Sequence, residues 1–319
     1  MALREPEPHA DVLTRVQDNI ERVIQGKDTV VRLLLLCLVA EGHLLIEDVP
    51  GVGKTSLAKA LAASIDCTFG RVQFTPDLLP SDVVGVNVWS RSEGRFEFRP
   101  GPIFAGIVLG DEINRASPKT QSALLEAMGE RQVTVDGVTY PMAPPFMVIA
   151  TQNPIEHEGT YPLPESQLDR FLMRLSVGYP SREAEVEVLH AHGDRDPLAD
   201  LAAVANTEDI ATLAAAARAV HVAPPLREYL VDLADASRRH PQLALGMSPR
   251  ASLGLQRVAR ARAAAAGREF VVPDDLKALA HPVLDHRLLL TPEAQIQGYR
   301  SADAVDDLLR TVPLPTRRG

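Results

Sequence analysis

The chain has 319 residues, of which 45% are hydrophobic, so it can bury the core of one large domain or of two ordinary ones. Its formal net charge is −9 at pH 7, and an acidic chain repels phosphate backbones, which disfavours a nucleic-acid motor. The longest apolar run, residues 33–40, is shorter than the roughly 20 residues that span a bilayer, and the polar, proline-rich start is unlike a signal peptide. We therefore expect a cytoplasmic protein without membrane insertion.

The first half of the chain alternates helices with short apolar strands. Apolar residues at helical spacing predict helices at residues 12–23, 29–40 and 54–64. Short apolar runs predict buried strands, at residues 44–46, 71–74, 103–109, 146–150 and 171–177. Such alternation is typical of a parallel sheet with helices on both faces.

Turn and cap residues predict one further helix and a hairpin in this half. Ser117 and Pro118 predict a helix start, and the helix is expected to run to Met128 and to end at Gly129. Alternating apolar residues around Asp136-Gly137 predict a hairpin at residues 131–140.

After Pro180 the pattern becomes helical. Helices are predicted at residues 181–191, 207–219, 225–239, 248–266 and 273–284, with one short strand considered at 220–222. We therefore divide the chain into an α/β domain at residues 1–180 and a helical domain at 181–319. The proline- and arginine-rich residues 311–319 are expected to form a frayed tail.

A glycine-rich segment between a predicted strand and a predicted helix has the composition of a phosphate loop. Its residues are Val49, Pro50, Gly51, Val52, Gly53, Lys54, Thr55 and Ser56. Glycines let backbone N–H groups surround phosphates, Lys54 can reach the β- and γ-phosphates of ATP, and the Thr55 hydroxyl can bind Mg²⁺. The strict pattern fails only at Asp48, which occupies the first glycine position. Because aspartate tolerates left-handed backbone, we expect the turn to survive. The departure at Asp48 is therefore expected to affect nucleotide affinity more than the loop itself.

Two acids follow the apolar strand predicted at residues 103–109. Next to a phosphate loop, Asp111 is expected to hold magnesium and its water shell, and Glu112 to orient and deprotonate the attacking water. The alternative is an ordinary acidic pair at a strand end, which the neighbouring phosphate loop disfavours. ATP and Mg²⁺ are therefore the predicted cofactors, with Thr55 and Asp111 as the metal-binding residues.

Five motifs occur between residues 73 and 171. They are QFTPDLLP at 73–80, GDEINRA at 110–116, KTQSALLEAM at 119–128, ATQNP at 150–154 and LPESQLDRF at 163–171. Together they closely resemble the MoxR family of AAA+ ATPases, and the helical half fits the lid of that family. The resemblance implies an α/β P-loop domain whose parallel sheet is sandwiched by helices, followed by an all-α lid, and a homo-oligomeric, hexameric ring.

The resemblance also implies roles for residues outside the loop. Asn153 matches the sensor 1 residue that positions the attacking water, with a strand-end cap as the alternative. Arg170 matches the arginine finger that reaches a neighbouring subunit, with a salt bridge to Asp169 or Glu165 as the alternative. Arg250 matches the sensor 2 arginine of the lid, with an ordinary arginine in the first turn of a helix as the alternative.

Two further segments match features of the family. Ile24, Gln25 and Gly26 match the segment that lines the adenine pocket. Residues 86–98 match an insertion before the acid-tipped strand and read as a hairpin with a polar turn at 90–94. The aromatic side chains Trp89, Phe96 and Phe98 can pack into the core or touch a client, and we favour the core.

The first functional hypothesis is a ring ATPase that remodels or activates protein complexes in a chaperone-like way. The resemblance implies protein clients, enzyme maturation that includes metal cofactor insertion, and a partner with a von Willebrand A domain. The alternatives are a nucleic-acid motor and a metal-chelatase motor subunit. The predicted hairpin at 131–140 holds one basic residue and no DNA-binding module is appended, so no nucleic acid is expected as a partner.

Overall fold

A computed structural model of the chain describes residues 8–154, 159–183, 185–186 and 197–314. The end of the predicted helix at 181–191 and the end of the predicted tail lie outside these residues. Thr311, which was assigned to the tail, is the last residue of a helix.

The described residues of the first half of the chain form nine strands. They are β1 (Leu44–Glu47), β2 (Phe69–Gln73), β3 (Gly85–Ser90), β4 (Arg95–Pro100), β5 (Ile107–Asp111), β6 (Gln132–Val135), β7 (Val138–Pro141), β8 (Met147–Gln152) and β9 (Met173–Leu175). Five of them form one parallel sheet in the order β2-β5-β8-β1-β9, and the pairs β3–β4 and β6–β7 form antiparallel hairpins. Since parallel strands share a carboxyl edge, the residues that follow β1, β5 and β8 lie side by side.

Six α-helices accompany these strands in the part of this half that the structure describes. They are α1 (Pro8–Glu21), α2 (Asp28–Val39), α3 (Lys54–Ser64), α4 (Pro80–Val84), α5 (Pro118–Glu130) and α6 (Glu165–Leu168). Successive residues of the central strands β1, β5 and β8 belong in turn to two different apolar clusters, because side chains alternate between the two faces of a sheet. Leu44 and Ile46 belong to the cluster that includes α1, α2 and α3, whereas Leu45 belongs to the one that includes α5. The predicted sheet with helices on both faces is confirmed.

Several predicted boundaries in this half differ from the structure, and two of the differences have a clear physical reason. The strand ending at Asp111 begins at Ile107, not at residue 103, because Pro102–Phe104 form a turn of 3₁₀ helix in which Ile103 is buried. Gly129 lies inside α5 and does not end it. A Cβ atom at Gly129 would lie 2.3 Å from Nη1 of Arg170, so the glycine provides room for this arginine. The helix ends at Glu130, two residues after the predicted Met128, and its C-cap Arg131 has left-handed backbone.

The second half is helical, as predicted. Its elements are α7 (Thr207–Ala219), α8 (Pro224–Arg238), β10 (Leu243–Leu245), α9 (Pro249–Ala265), α10 (Pro273–Leu284), β11 (Leu289–Leu290), α11 (Pro292–Ile296) and α12 (Ser301–Thr311). The four predicted helices from α7 to α10 agree with the structure within one residue at each end. The short antiparallel pair β10–β11 was not expected from the sequence, and the strand considered at 220–222 is only a single bridge between His221 and Phe270.

Several hydrogen bonds tie the helical half to the sheet domain, including two from arginines to backbone carbonyl oxygens. Arg257 of α9 donates from Nη2 to the carbonyl oxygen of Ala40, at 2.9 Å. Nη2 of Arg287 lies 2.7 Å from the carbonyl oxygen of Phe171, just before β9. Within the described ranges, no helix is both long and apolar enough to cross a bilayer.

Candidate nucleotide site

The phosphate loop connects the carboxyl end of β1 to the first residue of α3. Gly51 and Gly53 adopt left-handed backbone, with φ of 84° and 87°. A Cβ atom at Gly51 would meet nothing within 4 Å, so this side of the loop is open. Gly53 is the N-cap of α3 and has no side chain that could accept from the first N–H groups of the helix. Those groups can therefore bind an anion.

Lys54 is the first residue of α3, where the loop ends. Its Nζ donates to the carbonyl oxygen of Asp48 at 2.8 Å. Burial lowers the pKa of Lys54, while the carboxylates of Asp48, Asp111 and Glu112 act in the opposite direction. An ammonium in partly buried surroundings gains most from a phosphate oxygen, because the interaction is weakly screened by water there.

A cavity of about 180 Å³, which we call the phosphate cavity, opens beside the loop. It is lined by Pro50, Gly51, Gly53, Lys54, Thr55, Asp111, Glu112 and Asn153. The structure thus brings the central part of the predicted phosphate loop together with both predicted carboxylates and with the predicted sensor 1 residue. The carboxyl edge of the sheet achieves this, because Asp111 ends β5 and Asn153 follows β8.

Each carboxylate is held by specific neighbours. Asp111 accepts from Nη2 of Arg71 at 2.7 Å and from the Thr151 hydroxyl at 2.7 Å. Glu112 accepts through Oε2 from Gln73 at 2.8 Å and from Arg115 at 3.1 Å.

Arg71 and Gln73 were not identified from the sequence. They lie two residues apart on β2, which pairs with β5, so their side chains share one face of the sheet. The period of two along β2 was the signal that could have found them.

The donor set near Asp111 fits a magnesium ion. The Thr55 hydroxyl and the Asp111 carboxylate are hard oxygen donors, and Mg²⁺ usually takes one or two such protein ligands with phosphates and waters. Within the described ranges, no group of three or more His, Cys, Asp or Glu side chains could hold a metal ion alone. The arrangement therefore fits a cation that arrives with its nucleotide, where it would neutralise charge on the phosphates.

The segment predicted to line the adenine pocket follows α1. Ile24 is buried, and its Cδ1 atom lies 3.9 Å from where a Cβ of Gly53 would be, so this residue borders the phosphate loop. Gly26 has left-handed backbone with φ of 68°. Gln25 has a buried Oε1 atom without a hydrogen-bond partner in the structure. An adenine amino group could satisfy that oxygen, and the role of this segment in the adenine pocket stays a prediction.

Arg170 and Arg250 lie elsewhere. Both line a second cavity of about 360 Å³, which we call the arginine cavity, together with Arg131, Arg257 and Arg287. Among the residues that the structure describes, the two cavities share no lining residue. Arg250 lies in the first turn of α9, whose N-cap Ser248 donates a hydrogen bond to Oδ2 of Asp169 at 3.1 Å. This bond holds the start of α9 beside the arginine cavity.

The contacts of Arg170 differ from the predicted alternative. Asp169 forms its ion pair with Arg287, at 2.9 Å, and not with Arg170. Arg170 donates from Nη1 to the carbonyl oxygen of Leu125 at 2.9 Å, above Gly129. Its only described restraint is therefore a bond to a helix carbonyl, which a competing anion can replace.

Asp48 keeps its place in the loop for a different reason from the one expected. Its backbone is not left-handed, so tolerance of that conformation does not explain the residue. Its carboxylate accepts from the backbone N–H of Val49 at 2.9 Å, from the Ser176 hydroxyl at 2.9 Å and from the N–H of Gly178 at 2.6 Å. Asp48 thus joins the start of the phosphate loop to the chain that leaves β9.

Replacing Asp48 with Asn should destabilise the fold at neutral pH. Burial acts to raise the pKa of Asp48, but its hydrogen bonds hold the pKa below the ordinary value. A lowered folded-state pKa stabilises the protein above the unfolded-state pKa, and this contribution is lost as pH falls through the folded-state value. We expect a loss of about 1–3 kcal/mol in the free energy of unfolding near pH 7.

Urea unfolding at several pH values measures this difference, which should shrink as the pH falls through the acid range. Asp18→Asn serves as a control, because Asp18 is an exposed residue of α1 in the same domain. A difference between wild type and Asp48→Asn that is independent of pH would contradict the charge-based account.

The hairpin β3–β4 exposes two aromatic side chains. Trp89 and Phe96 contact each other edge to face, with 5.1 Å between ring centroids, but they are 51% and 67% exposed. The prediction that they pack in the core is therefore wrong for this pair. Phe98 is half-buried and stacks on Tyr140 of β7 at 4.0 Å, but it belongs to neither apolar core cluster, so core packing does not hold for it either. An aromatic pair packs against itself at a strand surface as readily as in a core, and the sequence pattern alone does not distinguish the two.

Comparisons with known proteins agree with this geometry. Residues 43–173 match the family model described as "ATPase family associated with various cellular activities (AAA)", and residues 235–308 match the model of an AAA lid domain. The chaperone MoxR1 of Mycobacterium tuberculosis is 43% identical over 312 residues, which cover 95% of this chain and 82% of that protein. The uncharacterized protein YeaC of Bacillus subtilis is 49% identical over 307 residues, covering 96% of each chain.

A solved structure extends the agreement to the fold. A crystal structure of a protein from Cytophaga hutchinsonii superposes with a TM-score of 0.90 at 37% identity, covering 97% of this chain and 96% of that one. The sheet domain, the lid and the order of the two are therefore shared over nearly the whole length. Sequence identity of this extent with a MoxR protein, together with the AAA and lid models, shows that the chain belongs to the MoxR family of AAA+ ATPases.

Proposed function

We propose that the chain binds ATP with Mg²⁺ in the phosphate cavity and hydrolyses it. The observation that supports this most is that Lys54, Thr55, Asp111, Glu112 and Asn153 line one small cavity. Lys54 and the loop N–H groups would hold the phosphates, and Thr55 and Asp111 the cation. Glu112 would take a proton from the attacking water, which Asn153 would help to position. Magnesium, when bound, would neutralise charge that develops on the phosphates.

The test of this assignment is Lys54→Ala. The variant should lose ATP affinity, because it removes the side-chain cation that faces the phosphates, and titration with a fluorescent nucleotide measures the loss. Lys59→Ala provides a matched control, since Lys59 is an exposed lysine on the same helix. If Lys54→Ala binds ATP as tightly as wild type, the loop is not the nucleotide site.

We further propose that the chain works as a homo-oligomeric ring, for which a hexamer is the expected form. Arg170 and Arg250 line a cavity that is separate from the phosphate cavity of their own chain. From these positions they are suited to a nucleotide that belongs to a neighbour, so each site would be completed at a subunit interface. Arginine brings a fixed charge and a fork of donors to phosphate oxygens, which suits both residues to this role.

The work of such a ring is proposed to be the remodelling or activation of protein complexes. The chain carries a formal net charge of −9, which favours protein clients over nucleic acids. Maturation of an enzyme complex, including metal cofactor insertion with a von Willebrand A domain partner, is the specific form that the family resemblance implies. The proteins that co-purify with a Glu112→Gln variant loaded with ATP would identify the client. A metal-chelatase complex recovered in this way would instead favour the chelatase alternative.

One observation supports the nucleic-acid alternative. Exposed aromatic side chains such as Trp89 and Phe96 can stack on unpaired bases. Against it, Arg131 at the base of the hairpin β6–β7 is paired with Glu41, and Arg95 of β4 is paired with Glu93. Stimulation of ATP hydrolysis by single-stranded DNA that disappears with added salt would favour this alternative.

A further inference from the structure

Thr151 is a buried residue that connects the side chain of Asp111 to the backbone of Glu112. It is the fifth residue of β8, beside the end of β5, and none of its surface is exposed. Its hydroxyl donates to Oδ1 of Asp111 at 2.7 Å, and its oxygen accepts from the backbone N–H of Glu112 at 2.9 Å. One oxygen atom thus touches both residues of the acidic pair.

The direction of these two hydrogen bonds is fixed by chemistry. A backbone N–H can only donate, so the Thr151 oxygen must accept from Glu112, and its single proton is then free for Asp111. Oδ1 of Asp111 accepts that proton. Thr151 therefore holds the Asp111 side chain in one orientation.

The backbone of Glu112 explains why such a contact is needed. Glu112 adopts left-handed conformation, with φ of 57° and ψ of 49°, which is uncommon for a residue other than glycine, asparagine or aspartate. Such strain persists only where the surroundings hold it. The side-chain contacts of Glu112 with Gln73 and Arg115 are partly exposed, whereas the bond from its N–H to Thr151 lies at a buried hydroxyl.

We propose that Thr151 is a positioning residue for ATP hydrolysis, which sets the Asp111 carboxylate for Mg²⁺ and holds the backbone of Glu112 so that its side chain faces the phosphate cavity. This inference rests on the proposed function of the site. Thr151 does not line the cavity itself, so it acts through its two neighbours.

The test compares Thr151→Val, which keeps the shape but removes the hydroxyl, with Thr151→Ser, which keeps the hydroxyl. Residues that orient metal ligands typically contribute about 10–100-fold to metal affinity or activity, so Thr151→Val should lower kcat by about that factor. It should also require at least about 10-fold more Mg²⁺ to tighten the binding of a fluorescent, non-hydrolysable ATP analogue. Nucleotide affinity without Mg²⁺ should stay within about 3-fold of wild type, because the phosphate loop is untouched. Thr151→Ser should restore both properties.

Thr139→Val is the matched control, because Thr139 forms a hydroxyl contact in an exposed strand far from the site. Circular dichroism checks folding, and Thr151→Ala replaces the valine variant if that variant does not fold. If Thr151→Ser loses as much as Thr151→Val, the methyl group and not the hydroxyl matters, and the proposal is overturned. It is equally overturned if Thr151→Val keeps both its kcat and its Mg²⁺ response.

The Lys54→Ala variant separates this outcome from failure of the proposed function. Wild type and Lys54→Ala must differ in ATP binding for the site itself to be correct. If they differ and Thr151→Val behaves as wild type, only the role of Thr151 is wrong. If they do not differ, the site is wrong and the proposal falls with it.

Discussion

Glu112→Gln should bind ATP with nearly unchanged affinity but turn it over at least about 100-fold more slowly, the usual contribution of a general base. Glutamine keeps the size of the side chain and an oxygen that can accept from Gln73 and Arg115, so the local contacts survive. What is lost is the ability to take a proton from water. Single-turnover hydrolysis and nucleotide titration measure the two properties separately.

Glu130→Gln controls for the loss of one negative charge, because Glu130 is exposed at the end of α5. Turnover of Glu112→Gln within a few-fold of wild type would mean that another group activates the water. A parallel fall in ATP affinity would instead indicate that the substitution had disturbed the strained backbone of residue 112, whose φ is 57°.

Local patterns allowed much of the site to be predicted. The phosphate loop could be recognised because a buried strand, two glycines and a lysine at a helix start are neighbours in the chain, and α3 agrees with its predicted bounds. The acidic pair was recognised for the same reason, as it directly follows the apolar strand β5. Helices α7 and α10 were predicted to the residue, since apolar spacing, the capping Asn206 of α7 and the initial Pro273 of α10 are also local signals.

The features that were missed depend on contacts between distant parts of the chain. Asp48 is bound to Gly178, which lies 130 residues further on, and no local pattern reports that bond. Gly129 resembles a helix stop until Arg170 is placed above it. Thr151 resembles any other buried strand residue, and its role is visible only when β8 and β5 are paired. Tertiary packing therefore decides which local signals carry function.

Arg170→Ala is expected to bind ATP and to be nearly inactive, because an arginine finger can contribute about 10³–10⁵ in rate. The structure gives the physical reason for expecting action across an interface: Arg170 lies in the arginine cavity, apart from the phosphate cavity of its own chain. Its Nη1 is held only by the carbonyl oxygen of Leu125 among its described contacts, so the side chain is free to exchange that partner for a phosphate.

Mixing Arg170→Ala with Glu112→Gln under conditions of subunit exchange tests this directly. A competent interface needs an Arg170→Ala subunit to supply the site and a Glu112→Gln subunit to supply the finger. In a random, equal mixture about a quarter of interfaces meet both conditions, so activity should reappear towards that fraction, or below it if the ring is strictly coordinated. Exchange is verified with fluorescently labelled subunits, and each variant alone gives the baseline.

If exchange occurs and no activity returns, Arg170 acts within its own chain or only supports the fold. Arg115, which already contacts Glu112 at 3.1 Å, would then be the next residue to replace.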